Sequence, residues 1–438
     1  MDQCLQYHVK PGGVVSGRLR VPGDKSISHR AIMLGAVAVG TTKISGFLEG
    51  EDTLMTLQAF RDMGVVIQGP KEGVVLLQGV GLHGLKPPSA PLYVGNSGTA
   101  MRLLAGLLSG QDFDVRLTGD VSLSKRPMKR IADPLTAMGV TIETSANGRP
   151  PLLLKGNTRP QAIDYPMPMA SAQVKSCVLL AGLYAEGETS VTEPAPTRDH
   201  TERMLRGFGY YVYTQDDRIS LSGGGELQGI STDIPADISS AAFFMVAAAI
   251  APGSDIILEH VGINPTRMGV ITILKQMGAD ISLDSQRYVS GEPVADIRVR
   301  YSPLSGIDIS ENDVPLAIDE FPVLFVAAAC AEGTTVLTGA EELRFKESDR
   351  IQVMADGLQT LGVSAEPRAD GIVIEGGQLL GGEVNSCGDH RIAMAFVMAG
   401  LRAVGPVIIN DCANVSTSFP GFVPLARQSG IRIKEQSV

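Results

Sequence analysis

The feature that most constrains the fold of this chain is a glycine punctuation that returns about every seventy residues. A glycine just past a helix adopts the left-handed conformation that lets a strand resume behind it. The punctuation occurs six times, at Met63-Gly64-Val65, Met138-Gly139-Val140, Phe208-Gly209-Tyr210, Met277-Gly278-Ala279, Leu361-Gly362-Val363 and Ser429-Gly430-Ile431. The sequence therefore predicts six similar α/β units, which favours two halves of three units over three ordinary domains.

Each unit also begins with an apolar, Ala-rich helix that follows a short polar stretch. These helices are apolar nearly all round, so we expect them to be buried inside their units, with sheets outside. In the first, either Asp24 or Ser26 can cap the helix, because both side chains accept a bond from free backbone N–H groups. The six openings are Asp24-Lys25-Ser26, Asn96-Ser97-Gly98, Ser171-Ala172-Gln173, Asp237-Ile238-Ser239, Asp319-Glu320 and Asp389-His390-Arg391.

The two halves are predicted to meet near residue 235, where a Gly-rich turn precedes Ile234-Pro235-Ala236. One lobe then contains residues 23–235, and the other contains residues 1–22 plus 236–438. The N-terminal stretch reads as one strand pair around the turn Gly12-Gly13, because glycine pairs favour tight turns. We expect its first strand to pair with the second half.

Composition limits the partners and the compartment. The formal charge of −10 disfavours nucleic acid, which requires a basic face, but it permits a basic pocket for a small anion. Five cysteines without C-x-x-C spacing favour reduced thiols in the cytoplasm. The N-terminus has no export signal, and the apolar runs fall short of the ~20 residues that span a bilayer. We therefore expect a soluble cytoplasmic protein.

Basic residues recur at or just before the helix starts. The macrodipole already makes a helix N-terminus positive, so added cations there destabilise the fold unless an anion shares the site. Arginine suits bidentate contact with carboxylate or phosphate. A single such residue is an ordinary surface charge, but as a set they would converge if the helix starts face a shared cleft. The set comprises Lys25, Arg30, Arg102, Arg126, Lys175, Arg198, Lys346, Arg350 and Arg391.

Two acidic points lie among these cations, at Asp319-Glu320 and in the stretch Lys346-Glu347-Ser348-Asp349-Arg350. The spacing of Lys346, Glu347 and Arg350 places them on one face of a predicted helix. They are either a salt-bridged helix start or proton carriers in a cleft. The six histidines form no metal-ligand pattern, and no phosphate-binding loop for a nucleoside triphosphate is present. The residues thus indicate a metal-free, two-lobed enzyme for small polyanions.

At these residues the sequence resembles the enolpyruvyl transferases and, more narrowly, the divergent second class of the 5-enolpyruvylshikimate-3-phosphate synthases. The resemblance covers essentially the whole chain. It implies a two-lobed inside-out α/β barrel with three βαβαββ units per lobe, inner helices, outer sheets and an active site in the cleft between the lobes. Its strongest motifs are Pro22-Gly23-Asp24-Lys25-Ser26-Ile27-Ser28-His29-Arg30, Gly95-Asn96-Ser97-Gly98-Thr99-Ala100-Met101-Arg102, Lys125-Arg126-Pro127-Met128, Lys346-Glu347-Ser348-Asp349-Arg350 and Gly388-Asp389-His390-Arg391.

The resemblance implies transfer of the enolpyruvyl group of phosphoenolpyruvate to the 5-hydroxyl of shikimate 3-phosphate, by addition and elimination, without a cofactor or metal. It makes Asp319 the acceptor of the hydroxyl proton, Glu347 the carrier of the methylene proton, and Lys25 a catalytic contact to both substrates. Shikimate 3-phosphate would be held by Lys25, Ser26, Arg30, Ser171, Gln173, Arg198, Asp319 and Lys346. Phosphoenolpyruvate would be held by Lys25, Gly98, Arg126, Gln173, Arg350 and Arg391.

The chain departs from the family pattern at three positions. Ala172 replaces a serine of many members, Arg198 replaces a serine of the phosphate pocket, and Thr417 replaces a lysine that reaches phosphoenolpyruvate. The alternative, a UDP-N-acetylglucosamine enolpyruvyl transferase, is disfavoured because Val121 occupies the place of its loop cysteine. A second alternative, an RNA terminal phosphate cyclase relative, is disfavoured by the acidic charge. We expect a monomer that binds small molecules, with no nucleic-acid or membrane partner.

Overall fold

The chain divides into two units, which are described here from a computed structural model of residues 5–437. The N-unit contains residues 23–234 and 289–292. The C-unit contains residues 5–22, 235–288 and 293–437. Both units are built from helices and small mixed sheets, so the α/β class predicted from the repeats is confirmed.

Residues 5–437 form thirteen α-helices and twenty-three strands. The helices are α1 (Lys25–Val37), α2 (Glu51–Asp62), α3 (Gly98–Leu108), α4 (Lys129–Ala137), α5 (Ala172–Gly182), α6 (His200–Gly207), α7 (Ile238–Ile250), α8 (Gly269–Gln276), α9 (Val314–Ala317), α10 (Phe321–Ala329), α11 (Arg350–Thr360), α12 (His390–Ala399) and α13 (Phe422–Gln428). The strands are β1 (Leu5–Val9), β2 (Ser16–Leu19), β3 (Val39–Ser45), β4 (Val66–Lys71), β5 (Val74–Val80), β6 (Leu92–Tyr93), β7 (Val115–Thr118), β8 (Ile142–Ser145), β9 (Arg149–Leu154), β10 (Asp164–Pro166), β11 (Glu188–Thr192), β12 (Tyr213–Gln215), β13 (Arg218–Ser222), β14 (Ser231–Asp233), β15 (Asp255–Gly262), β16 (Asp280–Val289), β17 (Glu292–Arg300), β18 (Thr334–Leu337), β19 (Ser364–Arg368), β20 (Gly371–Glu375), β21 (Gly382–Asn385), β22 (Val407–Asn410) and β23 (Ile433–Ser437).

The three sheets of the N-unit repeat one strand order. They run β14-β3-β5-β4, β6-β7-β9-β8 and β10-β11-β13-β12. In each, the first pair is parallel and the next two pairs are antiparallel. A common order and polarity in all three sheets confirms that the pattern along this part of the sequence is a structural repeat.

The C-unit keeps the same order with two modifications. Its sheets run β2-β15-β17-β16, β18-β20-β19 and β21-β22-β1-β23. The middle sheet lacks a full parallel edge strand, of which two isolated parallel bridges remain at Ser305 and Asp308. In the last sheet the third strand is β1, from the start of the chain. All six sheets within residues 5–437 are open, and none closes into a barrel.

The first helix of each of the six repeats lies in the core of the N-unit or the C-unit, as the apolar pattern predicts. Every residue of α7 and of α10 is buried, and α3 and α5 are buried along nearly their whole length. In the C-unit α7, α10 and α12 contact one another, and in the N-unit α3 packs against both α1 and α5. Because each fully buried Leu, Ile, Val or Phe contributes about 1.5–3 kcal/mol, these contacts dominate the stability of each unit.

Local signals set where these helices begin and where the outer helices end. Asp24, rather than Ser26, caps α1, since its carboxylate accepts a bond from the Ile27 amide at 2.9 Å. Ser97, Ser171, Asp237 and Asp389 cap α3, α5, α7 and α12 in the same way. The six punctuating glycines all have φ between +81° and +107°, which confirms their predicted left-handed conformation: Gly64, Gly139, Gly209, Gly278, Gly362 and Gly430.

The predicted N-terminal strand pair is wrong. β1 pairs antiparallel with β22 and β23, whereas β2 pairs parallel with β15 in a different sheet. The glycines at 12 and 13, with φ of +71° and +134°, carry the chain from one sheet to the next. The last repeat has no third strand of its own, and β1 fills that place while burying Tyr7 and Val9. The separate expectation that β1 pairs with the second half is confirmed.

The predicted helix face at residues 346–350 is also wrong. α11 begins only at Arg350, and Asp349 is its cap, accepting a bond from the Gln352 amide at 3.0 Å. Lys346 and Glu347 therefore lie in the turn before the helix. A capping aspartate outside the helix fixes its start, because its backbone is not helical.

The contact between α3 and α5 gives a stability prediction. A Cβ on Gly106 of α3 would lie 2.2 Å from the carbonyl oxygen of Cys177 in α5, so Gly106→Ala has to push the two helices apart. We expect the free energy of unfolding to fall by about 1–3 kcal/mol, measured as a lower midpoint in urea denaturation. The control is Gly207→Ala in α6, where a Cβ meets nothing within 4 Å. Equal midpoints for the two variants would contradict this account.

Candidate functional site

In the N-unit, two arginines converge on the backbone at Gly98, the first residue of α3. A Cβ on Gly98 would lie 3.2 Å from a terminal nitrogen of Arg102 and 3.2 Å from one of Arg126. Arg102 donates to the side-chain oxygen of Gln173, on α5, and to the carbonyl of Pro127 at 3.2 Å. Two guanidinium groups beside the backbone of a helix start form a setting that favours an anion.

Neutral side chains orient these two arginines. Arg126 donates at 2.6 Å to the amide oxygen of Asn96, which is itself held by Asp120 at 2.8 Å. Gln173 donates to the hydroxyl of Thr99 at 3.0 Å. The structure thus brings together three predicted site residues, Gly98, Arg126 and Gln173. Arg102 is one of the basic residues at the predicted helix starts, and the resemblance assigns it no site role, although it reaches the same place.

The first motif is held within the N-unit by its own partners. The ammonium of Lys25 pairs with the carboxylate of Asp52 on α2. Arg30 is buried and donates to Thr201 Oγ1 at 2.7 Å, to Ser176 Oγ at 2.8 Å and to the carbonyl of Ser26 at 2.9 Å. Burial lowers the pKa of the Arg30 guanidinium to about 10. Sequence reasoning missed the two hydroxyls, since they follow Arg30 by well over a hundred residues.

A second buried cation of the N-unit lies on α5. Lys175 pairs with Glu193 at 2.8 Å and with Glu202 at 2.7 Å. Burial alone would lower the pKa of Lys175, but these two carboxylates outweigh burial and raise it. Of the remaining predicted residues, Ser171 caps α5 through a 3.4 Å bond from the Val174 amide, and Arg198 is partly buried.

In the C-unit, the guanidinium of Arg350 is surrounded by three carboxylates. Its Nε donates to Asp389 at 2.8 Å, one terminal nitrogen donates to Glu347 at 2.6 Å, and the other lies 3.4 Å from Asp319. Burial alone would lower the pKa of Arg350, but the three carboxylates outweigh burial and raise it. The two predicted proton carriers, Asp319 and Glu347, are thus joined through one charged group.

Two more predicted cations complete this cluster. Lys346 lies 3.5 Å from the carboxylate of Asp319 and 3.0 Å from that of Glu342. Arg391 donates to the backbone carbonyl of Asp319 at 2.9 Å and lies 3.7 Å from Glu320. All five predicted residues of the C-unit, namely Asp319, Lys346, Glu347, Arg350 and Arg391, therefore belong to one cluster. We call it the Arg350 cluster and include Asp389 in it.

The family departures have simple local structures. Ala172 is the first residue of α5, and the hydroxyl of Thr417 donates to the carbonyl of Asn414 at 2.7 Å.

Residues 5–437 contain no group of three His, Cys, Asp or Glu side chains that could hold a metal ion. None of the helices in that range combines the length and the apolarity needed to cross a lipid bilayer.

Comparison of the fold identifies the class of protein. The enolpyruvyl transferase NikO from Streptomyces tendae is 16% identical to this chain, covers 100% of both chains and has a TM-score of 0.80. The EPSP synthase of Acinetobacter baumannii is 60% identical, covers 99% of this chain and 100% of its own, and has a TM-score of 0.90. The two-lobed α/β fold is therefore that of the enolpyruvyl transferases.

Comparison of the sequence narrows the class to one family. The family profile of EPSP synthase (3-phosphoshikimate 1-carboxyvinyltransferase) matches residues 9–425. A 3-phosphoshikimate 1-carboxyvinyltransferase of Nitrosococcus oceani is 66% identical over 99% of this chain and 98% of its own length. One of Methylococcus capsulatus is 64% identical over 99% of both. This chain belongs to the EPSP synthase family and is a transferase.

The buried imidazole of the first motif predicts a pH dependence of stability. His29 lies between Thr56 Oγ1 at 2.8 Å and Ser97 Oγ at 3.3 Å, and burial, aided by the charges of Lys25 and Arg30, lowers its pKa well below 6.5. Below pH 6.5 the unfolded chain binds a proton that the folded chain does not. As the pH falls below 6.5, this difference in proton binding should lower the free energy of unfolding by up to about 1.4 kcal/mol per pH unit.

The variant His29→Gln, which keeps hydrogen-bonding capacity without titrating, should lose less stability between pH 6.5 and pH 5.5 than the unmodified chain. Urea midpoints at pH 7.5, 6.5 and 5.5 measure the difference in slope, which is independent of any constant loss caused by the substitution. Parallel curves for the two proteins would rule out His29 as the source.

Proposed function

We propose that this chain transfers the enolpyruvyl group of phosphoenolpyruvate to the 5-hydroxyl of shikimate 3-phosphate, releasing 5-enolpyruvylshikimate 3-phosphate and phosphate. This is the reaction implied by the family name, and it places the chain in the route through chorismate to the aromatic amino acids. The observation that carries the proposal is the Arg350 cluster. It joins two carboxylates suited to proton transfer with cations suited to a carboxylated, phosphorylated substrate.

The Arg350 cluster supplies the proton transfers. Asp319 accepts the proton of the 5-hydroxyl as that oxygen forms a bond to C2 of phosphoenolpyruvate, while Glu347 protonates C3. The C2–O bond to phosphate then breaks, phosphate leaves with the proton that Asp319 took from the hydroxyl, and Glu347 takes back a proton from C3. Lys346 and Arg350 hold these carboxylates. Together with Arg391 they offset the charge of the polyanions, so that attack occurs within an oriented pair.

Residues of the N-unit take part in the same reaction by binding the substrates. Gly98, Arg126 and Gln173 hold phosphoenolpyruvate, and Lys25 contacts both substrates as a catalytic cation. Ser26, Ser171 and Arg198 hold shikimate 3-phosphate, together with Gln173, Lys346 and Asp319. Arg30 is assigned to the shikimate carboxylate. One terminal nitrogen of Arg30 donates to the carbonyl of Ser26, and the other donates to the hydroxyl of Ser176. Each terminal nitrogen carries a second N–H, which is assigned to the shikimate carboxylate.

The setting of the reaction is a further part of the proposal. The four cysteines within residues 5–437 form no disulfide, which fits a reducing cytoplasm. The acidic net charge fits a protein whose partners are small molecules rather than nucleic acid. The active form is a monomer, and glyphosate inhibits it by occupying the phosphoenolpyruvate position.

A phosphate-release assay with two acceptors tests the function. The purified chain with phosphoenolpyruvate and shikimate 3-phosphate should release one phosphate per enolpyruvyl product, and UDP-N-acetylglucosamine should support no release. Asp319→Asn should lower kcat by about 10²–10⁴-fold, since it removes a base that acts in the transition state. Release with the UDP-sugar alone would support the alternative enolpyruvyl transferase, and release with neither acceptor would refute the proposal.

The close approach at Gly98 predicts a difference between two ligands. The methyl group added in Gly98→Ala would lie 3.2 Å from the guanidinium groups of Arg102 and Arg126 and narrow the anion site. Glyphosate is longer than phosphoenolpyruvate, so its inhibition constant should rise at least about tenfold more than the KM for phosphoenolpyruvate. Gly207→Ala serves as the control, with neither constant changed. Equal losses for both ligands would contradict the placement of glyphosate here.

A further inference from the structure

The three carboxylates around Arg350 differ in burial and in the work proposed for them. The exposed fraction of the side chain is 24% for Glu347, 15% for Asp319 and 0% for Asp389. The first two are the proposed proton carriers, so each loses its negative charge during part of every turnover. Arg350 is itself buried and keeps its charge throughout. The cluster therefore needs one carboxylate that does not titrate with the reaction.

Asp389 has the contacts that such a permanent counter-ion requires. One of its oxygens accepts from Arg350 Nε at 2.8 Å, and the other lies 3.4 Å from a terminal nitrogen of the same guanidinium. This is a two-point contact along one edge of the arginine, which fixes the plane of the guanidinium as well as its position. Glu347 contacts one terminal nitrogen at 2.6 Å, and Asp319 lies 3.4 Å from the other.

Asp389 is also held from the opposite side. The oxygen facing the terminal nitrogen accepts from the backbone amide of Arg391 at 2.9 Å, and the other oxygen accepts from the Ser348 hydroxyl at 3.2 Å. The first bond caps α12, which begins with the turn that carries Arg391. One buried carboxylate thus fixes the orientation of Arg350 and the backbone position of Arg391 together.

We propose that Asp389 is a positioning residue for the transfer reaction. It holds Arg350 and Arg391, the two proposed ligands of phosphoenolpyruvate in this unit, in one arrangement while Asp319 and Glu347 change charge. It contacts no substrate itself. The inference rests on the proposed function and adds to it a residue whose removal should weaken phosphoenolpyruvate selectively.

The same unit provides a matched control for the structural part of this role. Asp237 is buried, caps the inner helix α7 through a 2.9 Å bond from the Ser239 amide, and lies 3.4 Å from a guanidinium nitrogen of Arg267. It therefore shares with Asp389 the cap, the burial and an arginine contact. The arginine that Asp237 contacts is Arg267 rather than Arg350, so any general effect of neutralising a buried capping aspartate appears in Asp237→Asn as well.

The experiment compares Asp389→Asn with Asp237→Asn in steady-state assays of the full chain. Asp389→Asn should raise the KM for phosphoenolpyruvate about tenfold, leave the KM for shikimate 3-phosphate within about twofold, and lower kcat. Loss of its negative charge leaves Arg350 and Lys346 less offset, which lowers the pKa of the Asp319 base. The acid limb of the kcat profile should therefore move to lower pH by about half a unit or more. Asp237→Asn should change neither the relation between the two KM values nor the pH profile of kcat.

A second variant keeps the test decisive if Asp389→Asn fails to fold, as judged by its thermal transition. Ser348→Ala removes one bond to Asp389 without uncovering a buried charge, and it should raise the KM for phosphoenolpyruvate about two- to threefold. If the parent chain turns over and the two variants Asp389→Asn and Asp237→Asn show the same KM values and the same pH profile of kcat, this inference alone is overturned. An unchanged KM in Ser348→Ala, where Asp389→Asn does not fold, would do the same. Absence of turnover in the parent chain would remove the proposed function and this inference with it.

Discussion

An α-helix that is apolar on every side has to be enclosed by the rest of the N-unit or the C-unit, and this constraint determines the architecture of both. The enclosing layer is the set of small sheets, three in each unit, in which an ordered repeat of parallel and antiparallel pairs recurs. Once the sides of α7 or α10 are buried, polar groups can lie only at the ends of the helix. The proposed site residues Gly98, Ser171 and Asp319 lie at or just before the starts of the inner helices α3, α5 and α10 for that reason.

The arginines at the helix starts have different partners in the two units. In the N-unit, Arg30, Arg102 and Arg126 donate to hydroxyl, amide and carbonyl oxygens, which orient them. In the C-unit, Arg350 is matched by three carboxylates. In the proposed reaction the first arrangement binds anionic substrate, and the second supplies groups that can exchange protons.

The accuracy of prediction depended on the range of the interactions involved. Gly64 and its five counterparts were predicted correctly because a left-handed turn past a helix involves only neighbouring residues. The pairing of β1 and β2 was wrong because Gly12 and Gly13 suit a hairpin as well as a passage between sheets. The contacts of Arg102 and Asp389 were missed since neither motif indicates which distant side chain it meets.

The sequence by itself determined the α/β class, the sixfold repeat, the buried inner helices and, through its motifs, the family. These features depend on periodicity, glycine conformation and local capping, all of which are written in short stretches of the chain. Only the tertiary structure decided that Arg350 meets Asp389 across 39 residues and that Arg102 meets Gln173 across 71. Such contacts depend on how buried helices from separate repeats pack, and no local interaction specifies that packing.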